Sequence, residues 1–190
     1  MFNIPFYRTE IPKWDIHKED VLSKLHENLD GYIEKHECMT SFYTVKGNLN
    51  LSLKLFKPFL DFINPSLNHL REIESMSGGY PIPEISHIWY QSYTKQQYHQ
   101  LHNHGALGWS AIFYAIFDKK EHRPTTFYAP FSDVLGEIIE YEPDVNEGTL
   151  LIFPSFLQHE ARSGMSDKER VIISFNMSPI SPSVVFQFSN

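Results

Sequence analysis

Trp109-Ser110-Ala111-Ile112-Phe113-Tyr114-Ala115-Ile116-Phe117 is apolar on both faces apart from Ser110 and Tyr114. Side chains alternate between the two faces of a strand, so a run that is apolar on both must be covered on both. The segment therefore reads as a central strand. Working outward from it, β-branched and aromatic residues dominate from Tyr80 onward, in short runs separated by turn signals. Strands are expected near 84–93, 98–104, 109–117, 124–129, 137–142, 149–153, 156–162 and 169–177. Short strands in succession with no helices between them point to an antiparallel sandwich or barrel.

The chain before Tyr80 has a different period. Val21, Leu22, Leu25, Leu29 and Ile33 fall on one face at helical spacing, which predicts a helix over His17–Lys35. Residues 3–14 alternate around two prolines and read as a short edge strand or extended arm. Residues 38–50 read as loop. Leu53, Phe56, Leu60, Ile63, Leu67, Leu70 and Ile73 continue the helical period from 51 to 76, with Pro58 and Pro65 splitting or kinking it. Ser77-Gly78-Gly79 should end it. The expected organisation is one domain, with helical support over 1–79, a β core over 80–178 and a tail over 179–190.

The chain has 190 residues, 42% of them apolar, which is enough for one real core. Its net charge of -7 gives no reason to expect nucleic-acid binding. The single cysteine, Cys38, rules out an internal disulfide and suits a reducing compartment. No apolar run is long enough for a signal peptide or a membrane span, so a cytoplasmic protein is the expectation.

Candidate chemistry lies beside the central strand. In a strand, residues i and i+2 share a face, so His102 and His104 project together. Gly105 follows at once and places the pair at a strand end. Two imidazoles at this spacing can chelate one divalent metal. His99 is near, but i and i+3 oppose each other in a regular strand. His17, His26, His36, His69, His87 and His122 read as ordinary core or surface residues. A hairpin turning between Gly164 and Met165 would set His159 opposite Arg170 and aim both into one cavity. A one-residue slip would turn Arg170 away.

These residues resemble a known family. His102-x-His104, then Gly148-Thr149-Leu150-Leu151-Ile152-Phe153-Pro154-Ser155-x-Leu157-x-His159, then Arg170-Val171-Ile172-Ile173-Ser174-Phe175-Asn176, is similar to the iron(II)- and 2-oxoglutarate-dependent oxygenases. The nearest likeness is to small bacterial and phage oxygenases related to prolyl hydroxylases, over roughly residues 84–178. The resemblance implies a mainly β fold, a double-stranded β-helix or jelly roll, with N-terminal helices packed on one sheet. It implies that His102, His104 and His159 bind iron, that Arg170 pairs with the distal carboxylate of 2-oxoglutarate, and that dioxygen is the oxidant. A guanidinium fork matches a carboxylate bidentately. Tyr114 and Tyr90 are weaker candidates for a second contact to that carboxylate, and Asn176 for a residue reaching the pocket.

The sequence departs from the wider superfamily in two places. Position 104, where an Asp is usual, is His. Asp118 lies too far along the strand to replace it, and Glu160 should point away from His159. The common Arg-x-Ser is Arg170-x-Ile172 here, with Ser174 two residues later. Other readings are a three-His cupin-like metalloenzyme that does not use 2-oxoglutarate, and a non-catalytic jelly-roll binding module. The substrate, small or peptidyl, is not written in the sequence, and neither is the oligomeric state.

Overall fold

The computed structural model describes residues 4–77 and 83–177. The expected helix stop at Gly78 and Gly79 and the tail over 179–190 lie outside the described residues. The chain opens with strand β1 (Tyr7–Glu10) and helix α1 (Trp14–Leu29). The short strands β2 (Glu34–Lys35) and β3 (Met39–Thr40) follow, then α2 (Phe42–Val45), α3 (Leu49–Leu55) and α4 (Lys57–Ser77). The β region holds β4 (Ile85–Tyr93), β5 (His99–His102), β6 (Trp109–Ile116) and β7 (Thr126–Ser132). It ends with β8 (Ile138–Tyr141), β9 (Thr149–Pro154), β10 (Gln158–Ala161) and β11 (Arg170–Met177). Each of the eight strands expected after Tyr80 is present, and the 3–14 arm supplies β1 at a sheet edge.

The strands form two antiparallel sheets. The larger runs β1-β9-β6-β11-β4-β3-β2 and the smaller β5-β10-β7-β8. This is the jelly roll with helices on one sheet. β6 is interior, flanked by β9 and β11, and β11 takes the middle place. Its period of two divides the molecule into layers. Val171, Ile173 and Phe175 face the helices and pack with Leu25, Leu29, Phe56, Phe59, Ile63 and Leu67. Ile172 faces the smaller sheet, in a second cluster with Tyr93, Ile112, Tyr114, Phe127, Leu151 and Phe153. The site lies in this second layer.

The helices differ from expectation at their ends. α1 begins at Trp14 because Lys13 turns left-handed at φ 63°. It stops at Leu29 because Gly31, at φ 77°, turns the chain out. Ile33 follows that turn yet still packs on the same core. The predicted 38–50 loop contains β3 and α2, elements too short to show a period. The second helical segment is two helices that part at Phe56. Pro58 falls in the first turn of α4, where a missing N–H costs nothing, and Pro65 is carried inside the helix. The Asn48 side chain caps α3 by accepting from the Leu51 N–H at 3.0 Å.

The expected β10–β11 hairpin does not form. β10 pairs with β5 and β7, and β11 pairs with β4 and β6, so the two strands belong to opposite sheets. His159 stands opposite His102, and Arg170 stands opposite Tyr93. The segment around Gly164 carries the chain from one sheet to the other rather than folding it back. No helix among the described residues is long and apolar enough to cross a membrane.

Trp14 joins the helices to the larger sheet. Its indole donates to the Ala115 carbonyl at 3.0 Å, and its ring meets Phe113 edge-on at 4.8 Å. Gly148 passes beneath it at φ 85°, where an added Cβ would sit 3.1 Å from the Trp14 Cβ. A Gly148→Ala substitution therefore combines left-handed strain with a contact that a buried, hydrogen-bonded indole cannot relieve. It should destabilise the fold by about 1–3 kcal/mol, read as a shifted denaturant midpoint with an unchanged slope.

Candidate metal centre

His102 ends β5 and His159 lies in β10, directly opposite in the ladder. Residues so paired share a face, and their rings are 4.4 Å apart. His104 follows β5 and is fixed by its backbone N–H, which donates to the Ser155 carbonyl at 2.8 Å. Its ring is 5.0 Å from His102 and 5.1 Å from His159. One ligand nitrogen from each of the three histidines falls within 4.8 Å of the others.

Two of the rings are held by the same local device. His102 Nδ1 lies 2.7 Å from the Gln100 carbonyl, and His159 Nδ1 lies 2.9 Å from the Leu157 carbonyl. A carbonyl only accepts, so each Nδ1 carries the proton and each Nε2 keeps its lone pair. Such partners fix the tautomer and ring plane of a metal ligand. Burial pushes all three imidazoles below their ordinary range, His104 to about 3 and His159 well below it. Three neutral nitrogen donors converging in a buried cleft suit a divalent transition metal.

Carboxylates stay outside this group. Glu160 accepts from the Tyr128 hydroxyl at 2.5 Å and from Arg162 at 2.6 Å. Asp118 lies beyond β6, where it accepts from the Lys120 N–H and pairs with Lys168. Among the described residues, the three histidines form the one group with metal-ligand spacing.

His99 does not oppose His102. The β5–β10 ladder shifts register between the two, and the rings stack 4.2 Å apart at 17°. His99 Nδ1 lies 2.7 Å from Gln91 Nε2, and Gln91 Oε1 accepts from the Ser174 hydroxyl. This chain from the larger sheet braces His99, and through it His102. The sequence reading did not find Gln91. Asn176 is also committed to structure, its Oδ1 accepting from the Ser110 hydroxyl at 2.9 Å.

Arg170 is 4% exposed at the start of β11. Its guanidinium lies 4.7 Å over the Tyr93 ring, and one amino group donates to the Arg123 carbonyl. Nε and Nη2 are buried without a partner, as is Thr125 Oγ1. Tyr93 is a wall common to the histidine cleft and to the small cavity at Arg170. Tyr114 is fully buried in the same layer, and its hydroxyl accepts from the Thr125 N–H at 3.0 Å. A buried cation with unused donors, with a free hydroxyl two residues along the chain from the Arg123 carbonyl it holds, is suited to a carboxylate. Tyr93 and Thr125 were not found in the sequence.

Tyr90 lies elsewhere. It is on the helix-facing side of β4 with Ile88, and its hydroxyl is near His26 and Glu169. The expectation that it contacts a carboxylate in the cleft is corrected by one step of strand parity: Tyr93, three residues on, takes the cleft side.

Residues 87–176 match the family described as "Putative 2OG-Fe(II) oxygenase", a span that runs from β4 to β11 and holds every ligand candidate. No curated protein sequence matches the chain. Solved structures share its fold at low identity. A Pseudomonas putida prolyl-4-hydroxylase superposes with a TM-score of 0.59 at 12% identity, covering 93% of this chain and 94% of that one. A Trichoplax adhaerens prolyl hydroxylase, in complex with a hypoxia inducible factor peptide fragment, gives 0.59 at 11%, covering 91% and 83%. The epimerase SnoN, in complex with Fe3+, alpha ketoglutarate and nogalamycin RO, gives 0.66 at 10%, covering 92% and 79%.

Metal titration tests the ligand set. The native chain should bind one Co(II) or, without oxygen, one Fe(II). His159→Ala should weaken binding by more than about 100-fold, since altering even a group behind a ligand costs 10–100-fold. Glu160→Gln should leave affinity unchanged, because that carboxylate is held by Tyr128 and Arg162.

Proposed function

We propose that this chain, whose residues 87–176 match the 2OG-Fe(II) oxygenase family model, is an iron(II)- and 2-oxoglutarate-dependent dioxygenase. It hydroxylates a small-molecule or peptidyl substrate and releases succinate and carbon dioxide. The observation that carries the reading is the buried guanidinium of Arg170 with two unused donors, in the same layer as three converging imidazoles.

His102, His104 and His159 would hold the iron, which when bound supplies dioxygen activation at the expense of 2-oxoglutarate. Arg170 would take the distal carboxylate, and Thr125 Oγ1 is free to add a hydrogen bond. Tyr114 keeps the Thr125 backbone in place. The aromatic ring of Tyr93 stacks on the guanidinium and stiffens it before the ligand arrives. Phe127 and Phe153 pack on His159 at 5.6 and 5.0 Å and keep bulk water from that ligand.

A three-His metalloenzyme that does not use 2-oxoglutarate explains the imidazoles equally well. It leaves Arg170 as a buried charge with incomplete hydrogen bonding, a cost of several kcal/mol with no return. A binding module without metal leaves both features unexplained.

Anaerobic titration of the Fe(II)-loaded chain with 2-oxoglutarate separates these readings. The native protein should develop a weak metal-to-ligand charge-transfer band in the visible. Arg170→Ala should keep its iron and require about 100-fold more 2-oxoglutarate, equivalent to about 3 kcal/mol for a buried charge pair. Bound iron with no band in the native protein would exclude 2-oxoglutarate as cosubstrate and favour the three-His alternative.

A further inference from the structure

Among the described residues, five buried side-chain polar atoms have no hydrogen-bond partner: Arg170 Nε and Nη2, Thr125 Oγ1, Trp89 Nε1 and His87 Nε2. Folded proteins pair the great majority of such atoms, so each exception asks for a ligand or a reason. The first three belong to the carboxylate end described above. The last two do not. Across the β11–β4 ladder, Arg170 faces Tyr93 and Asn176 faces His87. Trp89 faces Ser174, so along this one face Trp89 and His87 lie four and six residues from Arg170, about 13 and 20 Å along the strand.

Trp89 is 3% exposed and lines the cleft of the three histidines. Its ring is 5.4 Å from His104, and the His87 ring is 5.5 Å further along. An indole N–H can only donate, and no protein acceptor takes it. The row His104, Trp89, His87 therefore leads from the metal ligands to a donor that awaits an acceptor.

We infer that Trp89, with His87 behind it, is the recognition point for the primary substrate and takes an uncharged carbonyl oxygen, as in an amide. The inference rests on the oxygenase reading, which gives the Arg170 end to the cosubstrate. The charge distribution selects the acceptor. His87, Trp89, Asn176 and Ser110 are all neutral groups. Burial first, and then Lys46, holds the His87 imidazole below its ordinary range. Lys46 itself is exposed, its ammonium 5.5 Å over the Phe42 ring. A carboxylate here would lose its hydration and gain only the exposed, solvent-screened Lys46 beyond His87 as a counter-charge, whereas a carbonyl needs only the donor. The two sides of the Tyr93 wall thus sort the ligands by charge, the diacid's free carboxylate to Arg170 and a neutral carbonyl compound to Trp89.

The test uses the chain loaded with Zn(II) and 2-oxoglutarate, labelled with 15N in its histidines and its three tryptophans, Trp14, Trp89 and Trp109. Trp14, which donates to Ala115, is the internal control. N-methylacetamide is the probe and acetate the counter-probe, both across the millimolar range expected for so small a ligand. The amide should move the Trp89 N–H downfield and saturate, while acetate has little effect and Trp14 stays still. In Trp89→Phe, which keeps a ring beside His104, the affinity for the amide read at the His104 ring should fall about tenfold. A silent Trp89 signal, an equal response to acetate, or unchanged affinity in the variant each overturns the inference. If cosubstrate binds and Trp89 is silent, only the substrate inference falls. If the zinc-loaded chain takes up no 2-oxoglutarate, the oxygenase reading falls and the assignment of the two ends falls with it.

Discussion

The opposition of His102 and His159 across the β5–β10 ladder is the constraint on which the site depends. It brings together two imidazoles from positions 57 residues apart in the numbering, and the carbonyls of Gln100 and Leu157 fix both tautomers. His104 then needs only the short step past the strand end, held by Ser155. A hydrogen-bonded ladder is rigid along its length, so the convergence survives without a metal to enforce it. The cost is the burial of three polar rings. Their depressed proton affinities express it, and a metal that binds the neutral forms would offset it.

The larger sheet supplies the other half by parity. β11 sends Val171, Ile173 and Phe175 into the helical layer, and turns Arg170, Ile172 and Ser174 the other way, the last two to the cleft and Arg170 to the small cavity behind Tyr93. The same strand is thus core for one layer and floor for the site. α1 and α4 touch no ligand. They cover the outer face of the sheet, which lets β4, β6 and β11 be apolar on that side and chemically specific on the other.

Parity also explains what the sequence disclosed. His102-x-His104 was legible because i and i+2 share a face in any strand. The run of strands after Tyr80 was legible because turn residues separate them. The choice between Tyr90 and Tyr93 was not: β4 is buried on both faces from Ile88 to Tyr93, so no alternation of apolar and polar residues marks which side is which. Gln91 and Trp89 were hidden for the same reason. The partners of β10 were misread because a short Gly-containing link between two strands looks like a hairpin. In a jelly roll such a link often changes sheets, and only long-range pairing reveals it. Thr125 gave no signal at all, since its meaning depends on Arg170 arriving from 45 residues away in the numbering.

If His102, His104 and His159 hold the metal, three neutral ligands would leave a divalent ion its full charge, and a dianionic cosubstrate would neutralise it. The central claim is that both ligand sets serve one centre. A crystal structure of the chain grown anaerobically with Fe(II) and 2-oxoglutarate tests it most directly. The account predicts iron on His102, His104 and His159, with the free carboxylate of the diacid on Arg170. Iron bound by Glu160 or another carboxylate, or the diacid seated away from Arg170, would contradict it.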